Sequence, residues 1–411
     1  MRGRYTENAR AYRRRESLPL VPCPGGSMQR RPFVTLASSA AAVLAAPGFM
    51  RNAWAQESGI SGKTLGIGCS TALSGHFAGF GHDIRLGMEA AVAHVNGRGG
   101  IFGRTLQLSL VDDAYVPQRT ADNVKQMISQ GNVFVLLSCF GTPNNQAILP
   151  LLEEAGIPYV GPITGASSLR KSSRNVFHVR ASYTDEIRRL VQRLAGMGLT
   201  GVGVVFLDNG FGRELLEDAT RAMAEQQIKP LLQVALAIDG KNLGEVLAKV
   251  SEVRPPAVLL ATSGLESVEL IRGLKKNHPG ILMTGTSVTL SGDDLKELGS
   301  ASSGLAVTMV VPDSNLAKIA LVRDYQSAMR ARNEQMFTQR SLEAYINLRV
   351  LAEGLERAGA DLTRAKLRSA LASIRNWDMG GFVIDYASQP PYVGSRFVDL
   401  GVFGGTGRFL A

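Results

Sequence analysis

Thr64-Leu65-Gly66-Ile67-Gly68-Cys69 is a short apolar run, and its continuation through a loop into a helical pattern sets the architecture. A glycine-rich loop occupies residues 74–81, after which Ile84, Met88, Ala91, Val92 and Val95 recur on one face of a helix. Asn96-Gly97 and Gly99-Gly100 stop that helix. Strand and helix then alternate, with strands at 106–111, 133–137, 158–160 and 176–179 and helices at 117–130 and 143–155. Such alternation predicts a parallel sheet covered by helices on both faces.

A second series of similar size begins at Ser182, where Asp185 and Glu186 stand in the first turn of a helix running to Met197. Strands follow at 202–207, 231–236, 258–261 and 281–284, with helices at 213–226, 243–253 and 265–276. Two doubly wound lobes are more economical than one sheet of about ten strands. Beyond residues 304–310 the pattern turns helical, at 316–332, 338–358 and 362–374, and only short strands near 381–385 and 396–403 close the chain. This ending cannot build a third core. It should be shared between the lobes, so that the chain crosses between them more than once.

Of 411 residues 45% are hydrophobic and 19% charged, which is the composition of a globular protein with a sizeable core. Three cysteines exclude a disulfide-dense scaffold, and five histidines leave little for a metal cage. The net charge of +10 suggests a nucleic-acid binder until its location is considered. Residues 1–55 hold nine Arg and two Glu, leaving 36 basic against 33 acidic residues in a nearly neutral body. In that leader Arg30-Arg31-Pro32-Phe33 precedes an alanine-rich run over 36–46 and then Ala53-Trp54-Ala55, the order of an export signal cleaved after Ala55. The arginine pair is similar to a twin-arginine signal, with Thr35 where a lysine is usual, and Sec export is the alternative. A start at Met28 would give a signal of ordinary length. The mature chain is expected outside the cytoplasm, with no nucleic-acid partner.

Several chemistries fail on spacing. Gly201-Val202-Gly203 precedes its strand, whereas phosphate-cradling glycines follow one. Glu57 stands where the phosphate loop ending in Gly62-Lys63-Thr64 needs its first glycine, and no Gly-x-Ser-x-Gly elbow occurs. Asp112-Asp113 is better suited to a helix entrance than to a metal, and His76 and His82 have no third ligand nearby. No cofactor, metal or catalytic residue is expected. Cys69 and Cys139, at two strand ends, could stay thiols or pair.

Ligands of open parallel sheets bind beyond the carboxyl ends of strands. The loop after 133–137 contains Thr142, suited to cap a helix, and Pro143, suited to its first position. That arrangement would leave the Thr142 hydroxyl and the N–H groups of Asn144 and Asn145 as an anion seat. The loop after 158–160, Gly161-Pro162-Ile163-Thr164-Gly165-Ala166-Ser167-Ser168, offers a second seat. In the other lobe Glu266 either pairs with an ammonium group or complements its helix dipole. Phe80 and Phe211 either close over an apolar ligand body or belong to the core.

From about Lys63 to the C-terminus the chain resembles the leucine/isoleucine/valine-type periplasmic substrate-binding proteins of ABC transporters. The resemblance rests on Leu73-Ser74-Gly75 through Gly81, Gly87-Met88-Glu89-Ala90-Ala91, Val95 to Ile101, Asp112-Asp113, Glu154-Ala155-Gly156-Ile157-Pro158 and Asp208-Asn209-Gly210-Phe211-Gly212. It implies a type I periplasmic-binding-protein fold: α/β, with two doubly wound Rossmann-like lobes joined by three crossovers. The lobes are expected at 60–179 plus 287–384 and at 180–286 plus 385–411, hinging near Val179, Thr286 and Asp385. By position it places Thr142 on the ligand carboxylate, Ile163-Thr164-Gly165 in the second contact loop, Glu266 on an ammonium and Phe80 along the cleft. Tyr115 and Gly141 stand where some relatives carry a cysteine pair. The turn at 161–166 differs from the alanine-rich turn of branched-chain binders and is similar to those of binders of aromatic acids, other carboxylates or amides. The resemblance implies an exported monomer that delivers a small solute, an amino acid or analogue, to an ABC permease in the inner membrane. A sensor module of the same fold and a doubly wound cleft enzyme are the rival readings.

Overall fold

The computed structural model describes residues 57–171 and 173–410; the expected export signal lies outside them. The first series comprises β1 (Thr64–Thr71), α1 (Ala78–Gly97), β2 (Thr105–Asp112), α2 (Pro117–Ser129), β3 (Val135–Leu137), α3 (Thr142–Ala155), β4 (Tyr159–Val160) and β5 (Val176–His178). The second comprises α4 (Tyr183–Gly196), β6 (Gly201–Leu207), α5 (Gly210–Glu225), β7 (Lys229–Leu236), α6 (Leu243–Val253), β8 (Ala257–Ala261), α7 (Leu265–Asn277), β9 (Leu282–Gly285), α8 (Gly292–Leu298) and β10 (Ala306–Met309). The closing segment adds α9 (Ala320–Arg330), α10 (Gln339–Ala358), α11 (Arg364–Ala372), β11 (Trp377–Asp378), β12 (Val383–Ile384), β13 (Tyr392–Val393) and β14 (Asp399–Val402).

Two six-stranded sheets run in the orders β13-β5-β4-β3-β1-β2 and β14-β10-β9-β8-β6-β7, while β11 and β12 form a separate ribbon. All pairings in the first sheet are parallel, and in the second only β14 runs antiparallel, against β10. Central strands such as β6 and β8 are buried along their whole length, as helices on both faces require. The helix starts follow local chemistry. Ser182 and Asp185 form a reciprocal cap on α4, Asn209 caps α5 through the Gly212 N–H at 2.9 Å, and Thr338 caps α10.

The sheets correct the expected lobe limits. Residues 287–310 were expected in the first lobe, yet β10 lies in the second sheet; residues 385–398 were expected in the second, yet β13 extends the first. The first connection between the sheets runs over 179–182. The other two connections follow β10 and separate β13 from β14, so Thr286 and Asp385 are not the crossing points. Sheet membership of such short strands is decided by pairing partners distant in sequence, which local pattern does not encode.

Candidate functional site

Segments that follow strand carboxyl ends in the two lobes meet, His76 after β1 with Glu266 after β8 and Ser168 after β4 with Glu214 of α5. In the first lobe, the left-handed turn at Gly141 (φ 96°) caps α3, so Thr142 is the first helical residue and not the cap. The Asn145 N–H is consumed by the Gly141 carbonyl at 3.0 Å, which removes one of the two backbone donors expected of the anion seat. Buried Thr142 instead meets buried Thr164, their hydroxyls 2.8 Å apart, and Thr164 also accepts the Ala166 N–H at 3.2 Å. Ile163 fixes the relative position of the two loops, donating its N–H to the Cys139 carbonyl at 3.0 Å and accepting from Gly141 at 3.3 Å. Pro143 follows Thr142 in the first turn of α3. The Gly165 carbonyl accepts the N–H of Tyr183, the first residue of α4.

The second expected seat does hold a carboxylate, but an internal one. Glu214 of α5 accepts N–H bonds from Ser167 and Ser168, the latter at 3.3 Å, and the Ser168 hydroxyl at 2.8 Å. Phe211, also on α5, packs edge-on against Tyr183 with ring centroids 5.4 Å apart. Phe80 lies inside α1, not in a loop; it is fully buried and stacks on Phe140 at 4.9 Å.

Glu266 is not brought to the threonines. Its Oε1 lies 2.7 Å from His76 Nδ1 of the first lobe, its Oε2 has no hydrogen-bond partner, and burial pushes its carboxyl up. It lines a cavity of about 310 Å³ with His76, Asp239 and Glu269, to which neither threonine contributes. A larger cavity of about 370 Å³ has Asp83, Thr286, Phe337, Arg340 and Phe409 in its walls and none of the expected ligand contacts.

Sequence reading missed a buried charge network at the crossovers. Arg180 contacts Glu186 and donates to Ser287 Oγ at 2.6 Å, while Glu186 accepts the Ser287 N–H at 2.8 Å and the Thr308 hydroxyl at 2.5 Å. Arg340 pairs with Glu343 and donates to the Ser287 carbonyl at 2.9 Å; burial, aided by Arg180, pulls its guanidinium down to about 9. Four buried charges thus join the first connection, the second sheet and α10. Glu186 in a helix first turn was legible only as a dipole complement, because two of its partners, Ser287 and Thr308, lie 101 and 122 residues away.

Asp112 and Asp113 organise loops. Asp112 accepts from Leu73 and Ser74, and Asp113 from Ser70, Thr120 and the Tyr115 N–H. Cys69 and Cys139 are both buried free thiols. Among the described residues no group of three or more His, Cys, Asp or Glu is placed to hold a metal.

The profile of the periplasmic binding protein family matches residues 64–390. The chain belongs to that family. It is similar to Leu/Ile/Val-binding protein homolog 3 of Brucella melitensis, 24% identical over 74% of this chain and 82% of the relative. A substrate-binding periplasmic protein from Ralstonia solanacearum superposes with a TM-score of 0.77 at 28% identity, covering 83% of this chain and 98% of that one. A possible leucine/isoleucine/valine-binding protein from Rhodopirellula baltica gives 0.78 at 27%, covering 84% and 95%. The fold is therefore the type I periplasmic binding protein fold, and the family's role is solute binding.

Proposed function

We propose that this chain is an exported, non-catalytic, monomeric binding protein that captures a small carboxylate-bearing solute of amino-acid size between its lobes and delivers it to an ABC permease. The observation that carries this reading is the Thr142–Thr164 hydroxyl pair, buried at the strand ends of the first lobe with Tyr183 of the second lobe against it. Two hydroxyls whose mutual bond can be exchanged for bonds to an anion are suited to a carboxylate, since charge-assisted bonds are the stronger ones. Phe211 and Glu214 on α5 then close the second lobe over the solute, with Pro143, Ile163 and Gly165 holding the loop geometry. Closure is driven by contacts available only when both lobes engage.

Native mass spectrometry of the protein as purified tests the reading by revealing a small bound molecule. For that molecule Thr142→Ala should weaken calorimetric affinity by about 1–3 kcal/mol. An unchanged affinity would remove Thr142 from the site.

A further inference from the structure

The cavity of about 370 Å³ contains none of the residues assigned to the solute, yet both lobes build it. Asp83 comes from α1 and Arg340 from α10, a helix tied to the first sheet where Asn347 donates to the Gly161 carbonyl at 2.9 Å. Leu295 on α8, Val307 on β10 and Phe403 after β14 come from the second lobe. The two sides meet closely at Gly292, where a Cβ would lie 2.6 Å from Thr338 Cγ2 and 2.9 Å from Asp83 Oδ1. The volume falls within the range of about 300–1,000 Å³ usual for small-molecule sites.

Much of the wall is apolar, from Leu290, Leu295, Val307 and Phe337 to the rings of Phe403 and Phe409, which stack 4.5 Å apart. The polar part favours negative charge. Lys296 lies 3.3 Å from Asp293 and Arg340 pairs with Glu343, whereas the exposed Arg408 side chain has no ion-pair partner among the described residues. Arg340 Nε, which can only donate, and the Thr286 hydroxyl are buried without a hydrogen-bond partner. Asp83 is the one carboxylate of the wall among the described residues, and it already accepts the Gly292 N–H at 2.9 Å. Burial pushes it up to about 7, and an anion beside it would hold its proton more firmly. A cationic head would meet Arg408 and unpaired donors instead, with no fixed negative charge to neutralise it.

We propose that this cavity is a second ligand site, separate from the solute seat, for an amphipathic monoanion whose charged head meets Arg408 and whose apolar tail is covered by the leucine and phenylalanine walls. The site goes beyond the solute-binding reading and does not depend on it. Calorimetry of the full mature chain with decanoate below its micellar concentration, hexanoate and decyltrimethylammonium tests it. Decanoate should bind. Hexanoate, four methylenes shorter, should bind roughly ten-fold or more weakly, because less of the apolar wall is covered. Decyltrimethylammonium, of the opposite charge, should also bind roughly ten-fold or more weakly, as should decanoate to Arg408→Glu. Leu290→Trp, which fills part of the cavity, should reduce decanoate affinity similarly, with thermal unfolding measured alongside. Thr142→Ala should leave decanoate affinity unchanged.

No heat from decanoate, or equal affinity for decyltrimethylammonium, would overturn the proposal. Decanoate affinity that falls in Thr142→Ala and persists in Arg408→Glu would put decanoate in the solute seat, which overturns the second site and leaves the solute-binding reading standing. If Leu290→Trp lowers the unfolding temperature, Arg408→Glu decides alone, since that side chain is exposed. Decanoate binding that is lost in Arg408→Glu while native mass spectrometry shows no solute would support the second site and count against the solute reading only.

Discussion

Glu214 offers a direct handle on closure, because it lies on α5 of the second lobe while its three partners belong to Ser167 and Ser168 of the first. Glu214→Gln keeps the size and one acceptor oxygen but removes the charge and replaces the other oxygen with a donor that faces N–H groups. A hydrogen bond to a charged group contributes about 1.5–3 kcal/mol. Glu214 is only half-buried, so solvent screening reduces this to about 1–2 kcal/mol for the set. If the contact forms only on closure, that loss appears in solute affinity as a roughly 5- to 30-fold weakening, since each 1.4 kcal/mol is ten-fold. Calorimetric titration of wild type and Glu214→Gln with the solute found by native mass spectrometry measures the ratio. Differential scanning calorimetry without solute should show little change in unfolding temperature. An affinity within two-fold of wild type would refute the assignment of Glu214 as a closing contact.

Two further outcomes concern the crossovers. Glu186→Gln leaves Arg180 without its near carboxylate in a fully buried site, and breaking a buried pair costs about 3–5 kcal/mol, measurable as a lowered urea midpoint. A loss below about 1 kcal/mol would show that the network adds nothing to stability. Asp83, which accepts the Gly292 N–H at 2.9 Å, is pushed by burial from its ordinary 3.8 up to about 7. Between those values the folded state holds the proton that the unfolded state has lost, so this group's contribution is greatest below pH 4 and fades as pH rises through 7. The slope approaches about 1.4 kcal/mol per pH unit. In Asp83→Asn, urea titrations at pH 5 and pH 7 should differ by less than in wild type, and an equal difference would exclude Asp83 as the source.

Elements whose identity is local were legible in sequence. The helix of residues 182–197 was set by Ser182, its acidic first turn and its apolar stripe, and the strand of 202–207 by a short valine-rich apolar run, and both stand in the structure within a residue or two. Two lobes followed from the repetition of such units. Whatever depended on distant pairing was not legible. The pattern gave no means of assigning β10 and β13 to their sheets, nor of bringing Ser287 and Thr308 to Glu186. Thr142 and Thr164 could be singled out because hydroxyls after strand ends carry a local meaning, and the structure sets the two hydroxyls 2.8 Å apart. The packing of Tyr183 against Phe211 was not legible, because an aromatic residue near a strand end carries no local sign of its partner.

Small-angle X-ray scattering of the mature chain, first stripped of solute and then saturated with it, is the sharpest test of whether hinged lobes trap a solute between them. The radius of gyration should fall on saturation and rise again when the solute is dialysed away. A radius that stays constant while calorimetry shows the solute bound would contradict capture by closure.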